Sequence, residues 1–155
     1  MKRTLIILAI ALSLYSCRRE GYFGVFDMPL NRSWGVGEWV EFDFVQSDTI
    51  NLHKIELSIR HSLNFGFRNL PLEIQTHSPD NKYWRDTIIL KLTDADNDWV
   101  GQMGSNHIDF QSYYRRNVRF THSGNYVIKV KHLLPVDSLE GVNAVGIIVE
   151  TDGKK

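Results

Sequence analysis

From Glu38 onward, apolar and polar residues alternate in short runs, and this period of two constrains the chain more than any other feature. In WVEFDFV (39–45), Val40, Phe42 and Phe44 share one side while Glu41 and Asp43 share the other. KIELSIR (54–60) repeats the pattern with Ile55, Leu57 and Ile59. LPLEIQ (70–75) and DTIILKL (86–92) follow it, as do NVRFT (117–121), NYVIKVKH (125–132) and VNAVGIIVE (142–150). Successive side chains of a strand point to opposite faces, so each run predicts a strand with one buried face.

The breaks between runs, QSDT, HSPDN, DADND, HSGN and DSLEG, have the composition of turns. After the first sixteen residues no segment keeps an i, i+3, i+4, i+7 apolar pattern for three turns, so no helix is expected. Pro71 inside a strand-like run points to an edge strand or to a strand's first residues. The pattern predicts an all-β fold, an antiparallel β-sandwich of seven to eight strands that is Ig-like or jelly-roll-like. Its domain spans 38–155. Residues 17–37 lack a sustained period and read as a tether and loop, with Phe23, Phe26 and Trp34 as anchors.

The N-terminus has the layout of an export signal, assigned to 1–16. Lys2 and Arg3 precede an apolar segment of eleven residues, Thr4 to Leu14, then Ser16 and Cys17. Eleven residues fall short of the roughly 20 that a membrane-spanning helix needs, so the segment reads as removable. Leu14 lies three residues before Cys17 and small Ser16 directly before it, the spacing of a bacterial lipobox, although Tyr15 is bulkier than usual there. A single cysteine cannot form a disulfide within the chain. A catalytic thiol needs a base in a flanking environment that activates it, and nothing in the sequence arranges one. Cys17 is therefore expected to be the lipid attachment site and membrane anchor, with an incidental cysteine after an ordinary secretory signal as the alternative.

Cleavage before Cys17 leaves 155 − 16 = 139 residues, with 16 basic against 18 acidic side chains. A net charge of −2 offers no electrostatic case for nucleic acid or anionic lipid. Asp94, Asp96 and Asp98 have the one-three-five spacing of a calcium loop, but Trp99 stands where that loop needs glycine and Ser105 where it needs glutamate. An aspartate-rich turn is the simpler reading, with no metal and no cofactor. The six histidines show no zinc spacing and read as solvated or locally bonded. No nucleotide-binding or nucleophile motif is present, so no enzyme is expected. Exposed aromatics such as Trp84 and Trp99 are the remaining candidates for binding, although most rings are expected to cap the ends of the sandwich.

Several segments, in order, carry a family resemblance. They are FDMP (26–29), SIRHS (58–62), RNLPL (68–72), DWVGQMG (98–104), VRFTHSGNYVIKVKH (118–132) and LEGVNAVGIIVE (139–150). Together with Cys17 they resemble the gliding-motility lipoproteins of the GldH type found in Bacteroidetes. The most specific parts are GxYxIxxxH and LxGVxxVGIxxE. Leu133-Leu134-Pro135 departs from the Met-Arg pair expected after the first of these. The resemblance implies a non-enzymatic accessory lipoprotein, partnered with other envelope proteins of the motility and linked secretion machinery, with Cys17 lipidated. Arg18 and Arg19 after Cys17 suggest the outer membrane, facing the periplasm. The competing expectation is a glycan-binding envelope lipoprotein that uses exposed aromatics.

Overall fold

The structure, a computed structural model, describes residues 21–27 and 33–153. Cys17 and the signal lie outside the described residues. Eleven strands are present among them, and no helix. They are β1 (Gly21–Asp27), β2 (Trp34–Gly35), β3 (Val40–Gln46), β4 (His53–Ser62), β5 (Asn69–His77), β6 (Tyr83–Lys91), β7 (Gln102–Met103), β8 (His107–Val118), β9 (Gly124–His132), β10 (Ser138–Leu139) and β11 (Val142–Thr151).

One sheet has the order β1-β11-β4-β8-β7, the other β3-β9-β5-β6, and β2 and β10 form a short pair. All pairings are antiparallel. The eight long strands pair in nested fashion, β1 with β11, β3 with β9, β4 with β8 and β5 with β6. The nested pairs alternate between the two sheets, which is jelly-roll and not Ig-like topology.

The period-two residues supply the core. Phe42, Phe44, Ile55, Leu57, Ile59, Leu72, Ile74, Ile128, Val130, Val145 and Ile147 are buried between the sheets. The residues of the two resemblance motifs fall on this frame. Tyr126, Ile128, His132, Leu139, Val142, Val145 and Ile147 are all buried. Gly141 has φ +86°, and a Cβ there would sit 2.9 Å from Ser62 Oγ, so the turn into β11 requires glycine. These motifs encode the fold and mark no site.

Pro71 lies third in β5, an interior strand, so the first-residues expectation holds and the edge one does not. Its carbonyl accepts from Leu133 N at 2.9 Å, just past the end of the β5–β9 ladder. Pro71 accepts there but, lacking an N–H, donates nothing back, a loss confined to the end of the ladder.

Two expectations need correction. The strands begin at Gly21 and not at Glu38, because β1 adds to the edge of β11. NVRFT is mostly not a strand. Strand β8 runs from His107 to Val118, and Phe120 lies in the following loop, buried against Phe44, His53 and Tyr126. Two register shifts against β4, at His53/Ile55 and Ile55/Glu56, place extra residues in β8. Each bulge breaks the alternation, which hides β8 from a period-two reading.

Candidate functional site

Both outer sheet faces carry ion pairs around a nearly buried glutamate, although Val45, Tyr83, Ile89 and Tyr113 are also exposed on them. On the five-stranded sheet, Lys54 Nζ lies 2.8 Å from Glu56 and 3.1 Å from Glu150, and Gln111 Nε2 donates to Glu56. On the other sheet, Glu73 meets Arg85 at 3.0 Å and Lys131 at 3.2 Å. Burial opposes the charge of Glu73, but Gln75, Lys131 and Arg85 outweigh it and hold its carboxyl below the usual range. These carboxylates are occupied by their neighbours and read as structural.

The expected site residues do not converge. Asp94 Oδ1 accepts from the amides of Asp96 at 3.0 Å and Asp98 at 2.9 Å, which makes the segment an aspartate-capped turn. Among the described residues no group of three or more histidines, cysteines or acids is placed to hold a metal ion. Trp99 is half-buried. Its Nε1 donates to Leu63 O at 3.2 Å, and its ring lies between His61 at 4.6 Å and the Arg68 guanidinium at 4.2 Å. Trp84 is exposed, as expected, although it is on the inward side of β6, at the sandwich end beside Val118, Phe120 and Tyr126. Exposed Tyr83 is on the opposite side of β6, and exposed Tyr113 is on the other sheet. These rings form no continuous row.

For three histidines the solvated half of the expectation fails and the bonded half holds, since His53, His61 and His132 are buried and bonded to Gln46, the Ser62 carbonyl and the Trp34 carbonyl. Alternating positions of β4 and β9 face the core whatever residue fills them, and these rings pack there against aromatics. Burial pushes the His61 pKa below its ordinary 6.5, and nearby Arg68 lowers it further. The folded chain thus holds His61 neutral, whereas the unfolded chain protonates it below about pH 6.5. Its contribution to stability is complete above that pH and is lost as pH falls toward the lowered folded value. The slope for this one proton is at most about 1.4 kcal/mol per pH unit. Urea melts should show a smaller loss of stability from pH 7.5 to 5 in His61→Leu than in the parent chain. An equal loss would remove His61 as a contributor.

The two ends of the sandwich differ from the faces and from each other. One end gathers Gly21, the 47–52, 78–82 and 119–123 loops, and the exit of β11, as the registers Gly21↔Glu150, Gln46↔Gly124 and His53↔Thr151 require. Asp48 shapes its tip. Asp48 Oδ1 accepts from Ile50 N at 2.9 Å and Asn51 N at 3.0 Å, and these bonds lower its pKa to about 2. The turn holds Ile50 outward at 77% exposure. Beside it, a cleft of about 400 Å³ opens between β1 and β3, lined by Tyr22, Phe44, Asp48 and His53 among others.

The opposite end gathers loops 36–39, 63–68, 92–106 and 133–141. Val36, Leu63, Val100, Met103 and Leu133 are exposed there, Met103 at 70%. Backbone bonds tie these loops together, with Val36 N donating to Asp137 O and Leu92 N to Arg68 O, both at 2.9 Å. In the same loops Glu38, Asp94, Asp96, Asp98, Asp137 and Glu140 face Arg68 as the one Lys or Arg. An end with exposed apolar side chains in an acidic rim has the composition of a protein-docking surface. Sequence reading missed it because its residues come from four separate turns.

A family profile described as GldH lipoprotein matches residues 27–149. The chain is 24% identical over 157 residues to the gliding motility lipoprotein GldH of Flavobacterium johnsoniae, covering 97% of each chain. It is 23% identical over 142 residues to a gliding motility lipoprotein GldH homolog of Christiangramia forsetii, covering 87% of this chain and 86% of the relative. Among solved structures, the VP2 subviral particle of infectious bursal disease virus is similar at a TM-score of 0.44 and 11% identity. That match covers 89% of this chain and 34% of the viral one, and so remote a likeness carries no functional argument.

Proposed function

The chain belongs to the GldH lipoprotein family, and from that premise we propose a lipid-anchored accessory protein of the gliding-motility machinery and its linked secretion system. It acts through contacts with other envelope proteins and not through catalysis. Cys17 carries the lipid, and the domain sits at the outer membrane facing the periplasm, a placement that Arg18 and Arg19 after the cysteine favour. The observation that carries the contact reading is the loop end with Val36, Leu63, Val100, Met103 and Leu133 exposed inside an acidic rim. The outer faces also expose Val45, Tyr83, Ile89 and Tyr113, but these are divided between opposite sheet edges and the two sheets and stand among ion pairs.

Photo-crosslinking in the native envelope tests this. A crosslinking residue at Met103 is expected to capture motility or secretion proteins several-fold more than one at Thr87, on an outer sheet face. Capture from Thr87 alone would overturn the choice of surface. Recovery of peptidoglycan or other glycan alone would turn the reading to a glycan binder.

A further inference from the structure

We propose that the open edge of β6 is a self-association surface, on which a second copy of this chain lays its own β6 antiparallel, centred on Thr87. The contact is separate from the loop end assigned above to other envelope proteins.

Strand β6 ends the four-stranded sheet, and the hydrogen bonds at its two ends fix which backbone groups are open. Leu92 N donates to Arg68 O and Ser78 N to Lys82 O, both at 2.9 Å. These pairs continue the register that runs from Asn69↔Lys91 to His77↔Tyr83, one step beyond each end. In an antiparallel ladder, residues bonded to one neighbour alternate with residues whose N–H and C=O point the other way. Trp84, Asp86, Ile88 and Leu90 are therefore bonded to β5, while Tyr83, Arg85, Thr87, Ile89 and Lys91 hold out their backbone groups on the free side. Pro71 agrees, since it is opposite Ile89 and its carbonyl turns to β9. All five open residues also have exposed side chains, Ile89 at 63% and Tyr83 at 61%.

An edge of nine residues with no register shift is a template for strand pairing. Other edges are less suited. Strand β7 has two residues, and the part of β8 beyond it is distorted by two register shifts. On β3, the register that uses the whole strand would oppose Asp43 to its own copy.

Charge selects the occupant and its register. About Thr87, the copy's Lys91 comes opposite Tyr83, its Ile89 opposite Arg85, and Thr87 opposite itself, with Asp86 against Ile88 on the inner side. Each pair of open residues exchanges two backbone bonds, and the outer face gains a cation–aromatic pair and a threonine pair. Asp86 is already neutralised by Arg115 at 2.7 Å. Moving the centre by one residue sets Arg85 against Lys91 or Asp86 against its copy. Moving it by two opposes Arg85 to its copy, or leaves Tyr83 and Arg85 unpaired. The edge is thus complementary to itself along its full length in one register, which favours a second copy over a foreign strand.

The test introduces single cysteines into the full-length chain, Thr87→Cys or Ile89→Cys, and treats native envelopes with a short bis-maleimide. In the proposed pairing the two Thr87 Cα atoms lie about 5.5 Å apart. The two Ile89 positions are four residues apart along the strands, roughly 13 Å, and the reagent is chosen shorter than that gap. The parent chain, with Cys17 alone, is the blank, and matching melting temperatures confirm the fold of each variant. Thr87→Cys is expected to give several-fold more covalent dimer than Ile89→Cys. Equal or greater yield at Ile89, or no dimer at Thr87, overturns the pairing. Adducts of Thr87→Cys with other proteins alone would assign the edge to a foreign strand and overturn the self-pair as well. A self-adduct is distinct from the capture of other proteins at Met103, so the two surfaces stand or fall separately.

Discussion

Removing the thiol of Cys17 is expected to move the chain from the membrane to the soluble fraction almost completely. The comparison is best made with residues 1–16 replaced by an ordinary secretory signal, so that an uncleaved apolar segment cannot act as an anchor. Each buried methylene of an acyl chain contributes about 0.8 kcal/mol, and two or more chains hold a protein firmly where one holds it weakly. Among the described residues no helix is long and apolar enough to cross a membrane. The melting temperature of Cys17→Ala should match that of the parent domain, because the change lies four residues before the first strand. The parent chain should resist added protease in intact cells and become sensitive once the outer membrane is permeabilised. Retention of Cys17→Ala in carbonate-washed membranes would remove lipidation as the anchor. Digestion of the parent in intact cells would reverse the inward orientation.

The largest expected loss of stability comes from Trp34→Ala. Trp34 is fully buried although it sits on a strand of two residues. Its Nε1 donates to Glu38 O at 3.0 Å, its carbonyl accepts from His132 Nε2 at 3.1 Å, and its ring meets that histidine edge-on at 5.3 Å. Opposite it in the short ladder is Leu139, also fully buried. The indole thus closes the far end of the sandwich and ties the β2–β10 pair to β9. Truncating a buried tryptophan costs about 3–5 kcal/mol, a large part of the 5–15 kcal/mol typical of a domain. Denaturant melts should register that loss, with a fall in Tm of roughly 10 °C or more. Val100→Ala, an exposed change at the same end, should stay within about 0.5 kcal/mol. A Trp34→Ala loss below about 1 kcal/mol would show that the end closes without the indole.

Sequence reading located β3 and β9 best, the strands whose buried positions follow strict alternation. In β9, Tyr126, Ile128, Val130 and His132 point inward without interruption. Strand β8 escaped because its bulges shift the period and because Ser112 and Tyr114 stand at positions where an apolar run was sought. Phe120 misled for the opposite reason, as its burial comes from plugging the sandwich end and not from a strand face. The buried histidines were unreadable as such, because the same ring serves in water or in an aromatic pocket, and only the packed neighbours distinguish the two. Of the candidate site residues, the aspartates of DADND read correctly as a turn. Trp99 emerged as part of an end cap, held by Leu63 and Arg68.

By itself the sequence determined an all-β sandwich, because side-chain alternation is local and survives without knowledge of partners. Its ordered segments also carried the family likeness, through residues that turn out to build the core and the turn at Gly141. Only the tertiary structure decided that the pairing is nested as a jelly roll, since any alternating strand can pair with any other until long-range register is fixed. Only the tertiary structure separated the charges as well. A net of −2 for the residues from Cys17 onward is a sum over positions, and a sum cannot show that folding gathers an excess of acid in the loops of one end.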